Sequence, residues 1–344
     1  MTDTVRRIRM PGTLSIGWKA VLIVLPLATA LIALSIGRYA IPVRDVAGSI
    51  LGHLRGVEVL SSKDALVLWN IRMPRILLAL LAGAGLSLSG LAFQSLFANP
   101  LATPDTLGVA SGSSFGAALG LLLGFRWIGV QLFAVAMGML AVCLTFLAGS
   151  GRGRGLNTLV LAGIMIGSLF SALVSFVKFV ADAESQLPAI TYWLMGSLDV
   201  AGYKSLLYGA PPILVGIIVL ALLRWRLNVL PLSDDEAASS GVRIRTLRTI
   251  TILMATMMTA SCVAMCGQVG WVGLLIPHIC RMKFGNNHLS LVPASVSLGA
   301  VFLVVVDTLA RTITAQEIPI SVLTAIIGAP FFILLMRRSG GWQL

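Results

Sequence analysis

Charge is what this 344-residue chain has least of. Asp, Glu, Lys and Arg make up 11% of it, against 57% hydrophobic residues. A soluble domain carries about 25% charged residues. With a mean hydropathy of +0.95, the chain has more apolar surface than a water-soluble core of this length can enclose. One membrane domain over 1–344 is therefore expected. Acidic residues are the scarcer sign, 13 against 25 Lys and Arg, for a net charge of +12. Such an excess often marks a nucleic-acid binder. Here the cations fall between apolar runs, the pattern of loops at a membrane surface. The lipid bilayer is expected as a partner and nucleic acid is not.

Other absences narrow the chemistry. The four cysteines, Cys143, Cys262, Cys266 and Cys280, lie in apolar stretches with no Cys-x-x-Cys, so neither a disulfide framework nor a metal site is implied. No Gly-x-x-x-x-Gly-Lys-Ser/Thr occurs, so the chain has no loop of its own to cradle ATP. Val109-Ala-Ser111-Gly112 lacks the first Gly of a hydrolase elbow. His53, His278 and His288 all lie away from span centres, which disfavours an intramembrane hydrolase. Asp105, Asp199, Asp307 and Glu317 fall at span ends. An ion-gradient carrier needs carboxylates within the membrane, so a secondary carrier or passive channel is the second reading. No catalytic residue and no cofactor of its own are expected.

Long apolar runs are what the chain has. Nine charge-free runs reach 18 residues or more: 20–37, 76–104, 106–125, 127–151, 155–177, 205–223, 249–280, 284–306 and 318–336. They are continuous rather than alternating, so they read as helices. The first follows Arg6, Arg7 and Arg9, is long for a signal peptide and lacks a cleavage site, and so reads as an uncleaved span. The run 249–280 would reach about 48 Å as one helix. Gly267, Gly270, Gly273 and Pro277 interrupt it, which makes two spans and ten in all. With both termini cytoplasmic, ten spans put Arg152/Arg154, Arg224–Arg248, Arg281/Lys283 and Arg337/Arg338 inside.

Gly90/Gly267, Pro100/Pro277 and Gly108/Gly285 each lie 177 residues apart. They suggest a parallel internal repeat of spans 2–5 and 7–10, with Gly/Pro-interrupted helices of the transporter kind. Gly83, Gly85, Ser87 and Ser89 in span 2 suit close backbone packing. Between spans 6 and 7, Ser233 with Glu236 forms a capping box, Asp234 and Asp235 suit a helix N-terminus, and Gly241 suits its end. A short helix at the membrane surface follows, either a solvated connector or a docking handle within 228–243. Lys178 ends span 5, snorkelling or facing a pathway. Tyr192–Leu198 reads as a short outer helix whose Trp193 and Met195 either gate a pathway or anchor at the interface.

The motifs taken together resemble those of the FecCD-type permeases, the membrane subunits of importers for ferric siderophores, haem and cobalamin. They are Asn70-Ile-Arg72-Met-Pro74-Arg75, Gln94-Ser-Leu-Phe-Ala-Asn99-Pro100 to Pro104, Tyr192-Trp193-Leu-Met195-Gly196, Gly273 to Arg281, Asp307 to Arg311, Glu317-Ile-Pro319 and Gly328-Ala-Pro330. The resemblance covers about 69–338. It implies an all-α fold of about ten spans in a bacterial or archaeal cytoplasmic membrane. The implied partners are a second permease subunit, two ATP-binding subunits carrying ATP and Mg, and a periplasmic or surface-anchored binding protein. It implies ATPase coupling through Leu232, Ser233, Asp234, Asp235, Glu236, Ala237, Gly241 and Val242, although Ser-Asp-Asp-Glu departs from the family's usual Gly-Glu. Gln94, Asn99, Pro100, Lys178, Trp193, Met195 and Gly196 become candidates for the pathway or its gate. Arg55 and Arg75, among the outer-face arginines, become candidates for binding-protein docking by charge complementarity. Siderophore, haem and cobalamin lead as cargo, and an oxyanion ranks last.

Overall fold

The computed structural model describes residues 14–57, 60–149, 156–199 and 202–338. Arg6, Arg7, Arg9, Glu58, Arg152 and Arg154 lie outside the described residues, as do the side chains of Asp234, Arg337 and Arg338. The described chain is helical without strands, as expected of backbone that must satisfy its own polar groups in lipid. In order come α1 (Ile16–Ser35), α2 (Val43–Leu54), α3 (Ser62–Ala65), a π-helical turn (Leu66–Arg72) and α4 (Met73–Leu96). After a 3₁₀ turn (Pro104–Leu107) follow α5 (Val109–Leu122), α6 (Trp127–Ala148), α7 (Leu156–Val180) and α8 (Gln186–Leu194). The remainder is α9 (Tyr203–Leu222), α10 (Asp234–Ser239), α11 (Ile244–Cys266), α12 (Val272–Phe284), α13 (His288–Thr312) and α14 (Ile320–Arg338).

Each expected span is matched by one helix: α1, α4, α5, α6, α7, α9, α11, α12, α13 and α14. Among the described residues, seven helices are long and apolar enough to cross a membrane by themselves, whereas α5 has 14 residues and α12 has 13. The run 76–104 is not helical throughout. The helix stops at Leu96, Ala98 turns through φ +47, and the Asn99 side chain accepts from Leu101 N–H at 2.9 Å.

Helix α4 is the axis of the bundle, 83% buried over its most apolar window, against 11% for α1 and 22% for α7. Its small residues let backbones touch. A Cβ on Gly83 would fall 2.2 Å from the Gly299 carbonyl oxygen, and one on Gly90 would fall 1.9 Å from that of Gly273. Those approaches seat α4 on α13 and α12.

The direction of the repeat requires correction. Cys262 Sγ lies 3.7 Å from Ala82 O, and Ser89 Oγ donates to Ala255 O at 3.1 Å. Helices α4 and α11 thus run antiparallel, so spans 2 and 7 cross in opposite senses. The relation between the halves is inverted, not parallel. Helix α4 packs on α12 and α13, while α11 packs on α5 and α6. The spacing of 177 does not mark equivalent places, because Pro100 sits in a turn and Pro277 inside α12.

Candidate functional site

Both interrupted segments reach the middle of the bundle. Thr103, Pro104 and Asp105 before α5, and Gln268, Val269, Gly270 and Trp271 before α12, line one cavity of about 60 Å³. Irregular backbone at this depth is tolerated only where protein or a cavity surrounds it. The N-terminal ends of two short helices of opposite direction meet there, the arrangement of inverted-repeat transporters. Small-molecule sites enclose roughly 300–1,000 Å³, so this cavity has no room for a chelate.

At the end of the bundle where α4 begins, Arg75 is the centre of an ion network. Its Nε donates to Asp307 at 2.8 Å, its two terminal nitrogens donate to Glu317 at 2.9 and 2.8 Å, and Asp199 lies 3.8 Å away. Asp307 is fully buried, with Arg311 3.6 Å from its other oxygen. Arg72 and Arg311 donate to the carbonyls of Ala33, Leu34, Ser35 and Tyr39, capping the end of α1. Arg75 is 7% exposed and each of its three nitrogens donates to Asp307 or Glu317, so it is tied into the bundle and not displayed as a docking cation. Arg55 follows α2 and is exposed.

At the same end, the segment after α8 joins two spans, α11 and α14. Ser197 N–H donates to Cys266 O at 3.0 Å, Ile320 N–H to Gly196 O at 3.0 Å, and the Ser321 hydroxyl to Met195 O at 2.6 Å. Gly196 (φ +73) and Gly267 (φ +69) sit so close that a Cβ on the latter would be 2.3 Å from Trp193 O. Trp193 is buried among Ala117, Val130, Ala134 and Val263, while Tyr192 is exposed. Lys178 is half-buried at the end of α7 and makes no ion pair among the described residues. Asp182 instead accepts from the N–H groups of Glu184 and Ser185 and from the Ser185 hydroxyl.

At the opposite end lies a polar chain that sequence reasoning missed. The Gln94 amide donates to Gly273 O at 3.0 Å and accepts from Arg281. Gln94 is therefore a buried tie between α4 and α12, and Pro100 belongs to the turn beyond. Ser95 meets His288 Nε2. The Asn228 carbonyl oxygen accepts from the His288 backbone N–H and faces Nδ1, both at 2.9 Å. That oxygen can only accept, which places the imidazole proton on Nδ1, while the single Ser95 hydroxyl hydrogen is within reach of both Nε2 and the Leu91 carbonyl at 2.8 Å. No spacing in the sequence joins residues 95, 228 and 288.

Asn228 opens the segment that carries α10. Ser233 N–H donates to Glu236 at 3.1 Å, its hydroxyl also donates at 2.8 Å, and Glu236 N–H returns to that hydroxyl at 3.4 Å. These bonds hold the Glu236 carboxyl below its usual range. Ala237 is fully buried and anchors the helix, Leu232, Ser233, Asp235 and Glu236 are exposed, and Gly241 turns away at φ +70 before the half-buried Val242.

Comparison with known proteins agrees with this arrangement. Residues 22–338 match a model of the FecCD transport family. The molybdate import system permease protein MolB of Haemophilus influenzae is 41% identical over 311 residues, covering 90% of this chain and 92% of that one. An iron chelatin transport system permease protein of Helicobacter pylori is 37% identical over 299 residues, covering 87% and 90%. A solved metal-chelate type ABC transporter in an inward-facing conformation is similar with a TM-score of 0.85 and 39% identity, covering 94% of this chain and 100% of that one.

Proposed function

Because the chain belongs to the FecCD transport family, we propose that it is the permease subunit of an ATP-binding-cassette importer that moves an iron chelate (siderophore or haem) or cobalamin inward. The observation that carries the mechanism is the short capped helix α10. It is exposed on one face, anchored by Ala237 on the other, and joined through Asn228 to His288 and Ser95. A partner ATPase, holding ATP and Mg, pushes on α10. The push reaches the start of α13 and the end of α4 through that polar chain.

The α10 end then faces the cytoplasm, both termini with it, in a bacterial or archaeal cytoplasmic membrane. The Arg75 end faces the periplasmic or surface-anchored binding protein, for which Arg55 is an accessible docking cation. A single chain has too small a central cavity to pass a chelate, which favours a route between two copies. Lys178 and the Trp193–Gly196 segment lie at its outer mouth. A compact oxyanion is the second reading of the cargo, because one relative at 41% identity is named for molybdate.

The test is ATP-driven uptake in proteoliposomes containing the chain, its ATPase and its binding protein, supplied with a ferric siderophore, haem, cobalamin or molybdate. Uptake of one of the first three is expected, with loss of both uptake and ATPase stimulation in Asp235→Lys/Glu236→Lys. Saturable uptake of molybdate alone selects the second reading. Uptake without ATP or ATPase overturns the importer mechanism.

A further inference from the structure

A recess lies away from the ion network and from α10. It is a groove of about 680 Å³ between α1 and α13. Leu22, Ile23, Pro26, Leu80, Pro293, Val296 and Ala300 give it apolar walls, and Lys19 and Arg224 stand among its lining residues. No acidic residue lines it. Lys19 lies near the start of α1 and Arg224 just beyond the end of α9, so the cations gather at the α10 end. The apolar walls continue from there toward mid-membrane.

The groove's length matches one leaflet. Leu289 to Ala300 spans about 17 Å of helix axis at 1.5 Å per residue, and half of the hydrocarbon core is about 15 Å. The depth of the mouth is marked independently. Trp18 stacks edge-on with Phe284 at 5.2 Å and lies under Lys283 at 5.4 Å, an aromatic–cation set of the kind found at headgroup level. Inside, Ser297 Oγ is buried without a hydrogen-bond partner. Pro26 and Pro293 each withdraw an N–H, so the carbonyls of Leu22 and Leu289 on the groove wall lose their helical donors. A recess with a cationic mouth, one-leaflet apolar walls and spare polar atoms is built for an amphiphile with an anionic head.

We propose that this groove holds one anionic phospholipid of the leaflet at the α10 end, its phosphate between Lys19 and Arg224 and one acyl chain along Pro26, Val296 and Ala300. The proposal needs only that the chain spans a membrane, and so stands or falls apart from the cargo and the energy source. Basic recesses beside membrane helices recognise lipid headgroups through this combination of charge and depth. A bound lipid also gives α1, the least buried of the seven long spans, a second wall against α13.

Native mass spectrometry of the full chain, stripped of lipid in mild detergent and offered phosphatidylglycerol, phosphatidylcholine or glycerol 3-phosphate, decides it. One phosphatidylglycerol should remain per chain, with phosphatidylcholine held far more weakly and glycerol 3-phosphate unable to displace the lipid. Lys19→Glu/Arg224→Glu should weaken retention roughly 30-fold, as expected for two cations near an anionic headgroup, while Lys19→Arg/Arg224→Lys keeps it. Val296→Trp, which fills the apolar wall and spares both cations, should also release the lipid. Equal retention of phosphatidylcholine, full retention by the charge-reversed or the filled variant, or displacement by glycerol 3-phosphate overturns the proposal. The last outcome would leave a bare phosphate site instead.

Discussion

Arg75 shows how far a residue's role depends on what folds around it. In sequence it is one of several arginines near a span end, and its charge reads as surface. In the fold it holds Asp307 and Glu317, from α13 and the loop before α14, against α4. A signal for this was present: Asp307 and Arg311 are four apart within an otherwise apolar run, the spacing of a helical ion pair. Removing one partner of a buried pair leaves the other charged and desolvated, at a cost of about 3–5 kcal/mol. Arg75→Ala should therefore unfold at markedly lower denaturant concentration in detergent, while the exposed Arg55→Ala should match the parent. An unchanged unfolding midpoint for Arg75→Ala would mean that Asp307 is carried protonated and the network contributes little.

Among the elements, α10 was the most legible. A Ser and a Glu three residues apart can satisfy each other's backbone N–H groups, and the structure has both bonds. Because the Glu236 carboxyl is held below its ordinary pKa, its contribution is fully present above the usual Glu value and is lost as pH falls through the lowered one. Protection of the α10 amides, taken relative to the intrinsic exchange rate at each pH, should be highest at neutral pH and fall in acid, and Ser233→Ala should show little protection throughout. The end of α4 was less legible, because an apolar run looks alike whether it continues as helix or turns inside protein. The link from α10 to α4 was invisible for a different reason. It joins three distant segments through Asn228 and His288, and polar residues at helix ends are common. Asn228→Ala should leave ATP hydrolysis by the assembled complex near the parent rate while uptake falls at least tenfold. Equal losses of both would show that the polar chain serves assembly rather than transmission.

At the scale of the molecule, the all-α class followed from hydropathy, and ten spans from hydropathy together with the Gly/Pro interruption of 249–280 and the placement of the cations, but the sense of the repeat did not. Five crossings separate span 2 from span 7, and an odd number reverses direction. The antiparallel contacts of α4 with α11 record that reversal. The glycines and prolines at a constant spacing matched because both residues are frequent near breaks. Inversion matters for function, since two halves of opposite sense can exchange inner and outer conformations around a shared middle. That middle is too small for cargo in one copy, and α7 leaves Leu161, Ile164, Leu169, Phe176 and Phe179 exposed. Ser168 and Ser175, seven residues apart, are also exposed on α7. A second copy placed against α7 would line a route with these side chains. The prediction is made in a Cys143→Ser background, because Cys143 is exposed whereas Cys262, Cys266 and Cys280 are buried. There, Ser175→Cys should cross-link two chains in membranes, and the yield should change when the ATPase is trapped with nucleotide. A chain that transports with its ATPase yet never cross-links from Ser168→Cys or Ser175→Cys would place the route elsewhere than along α7.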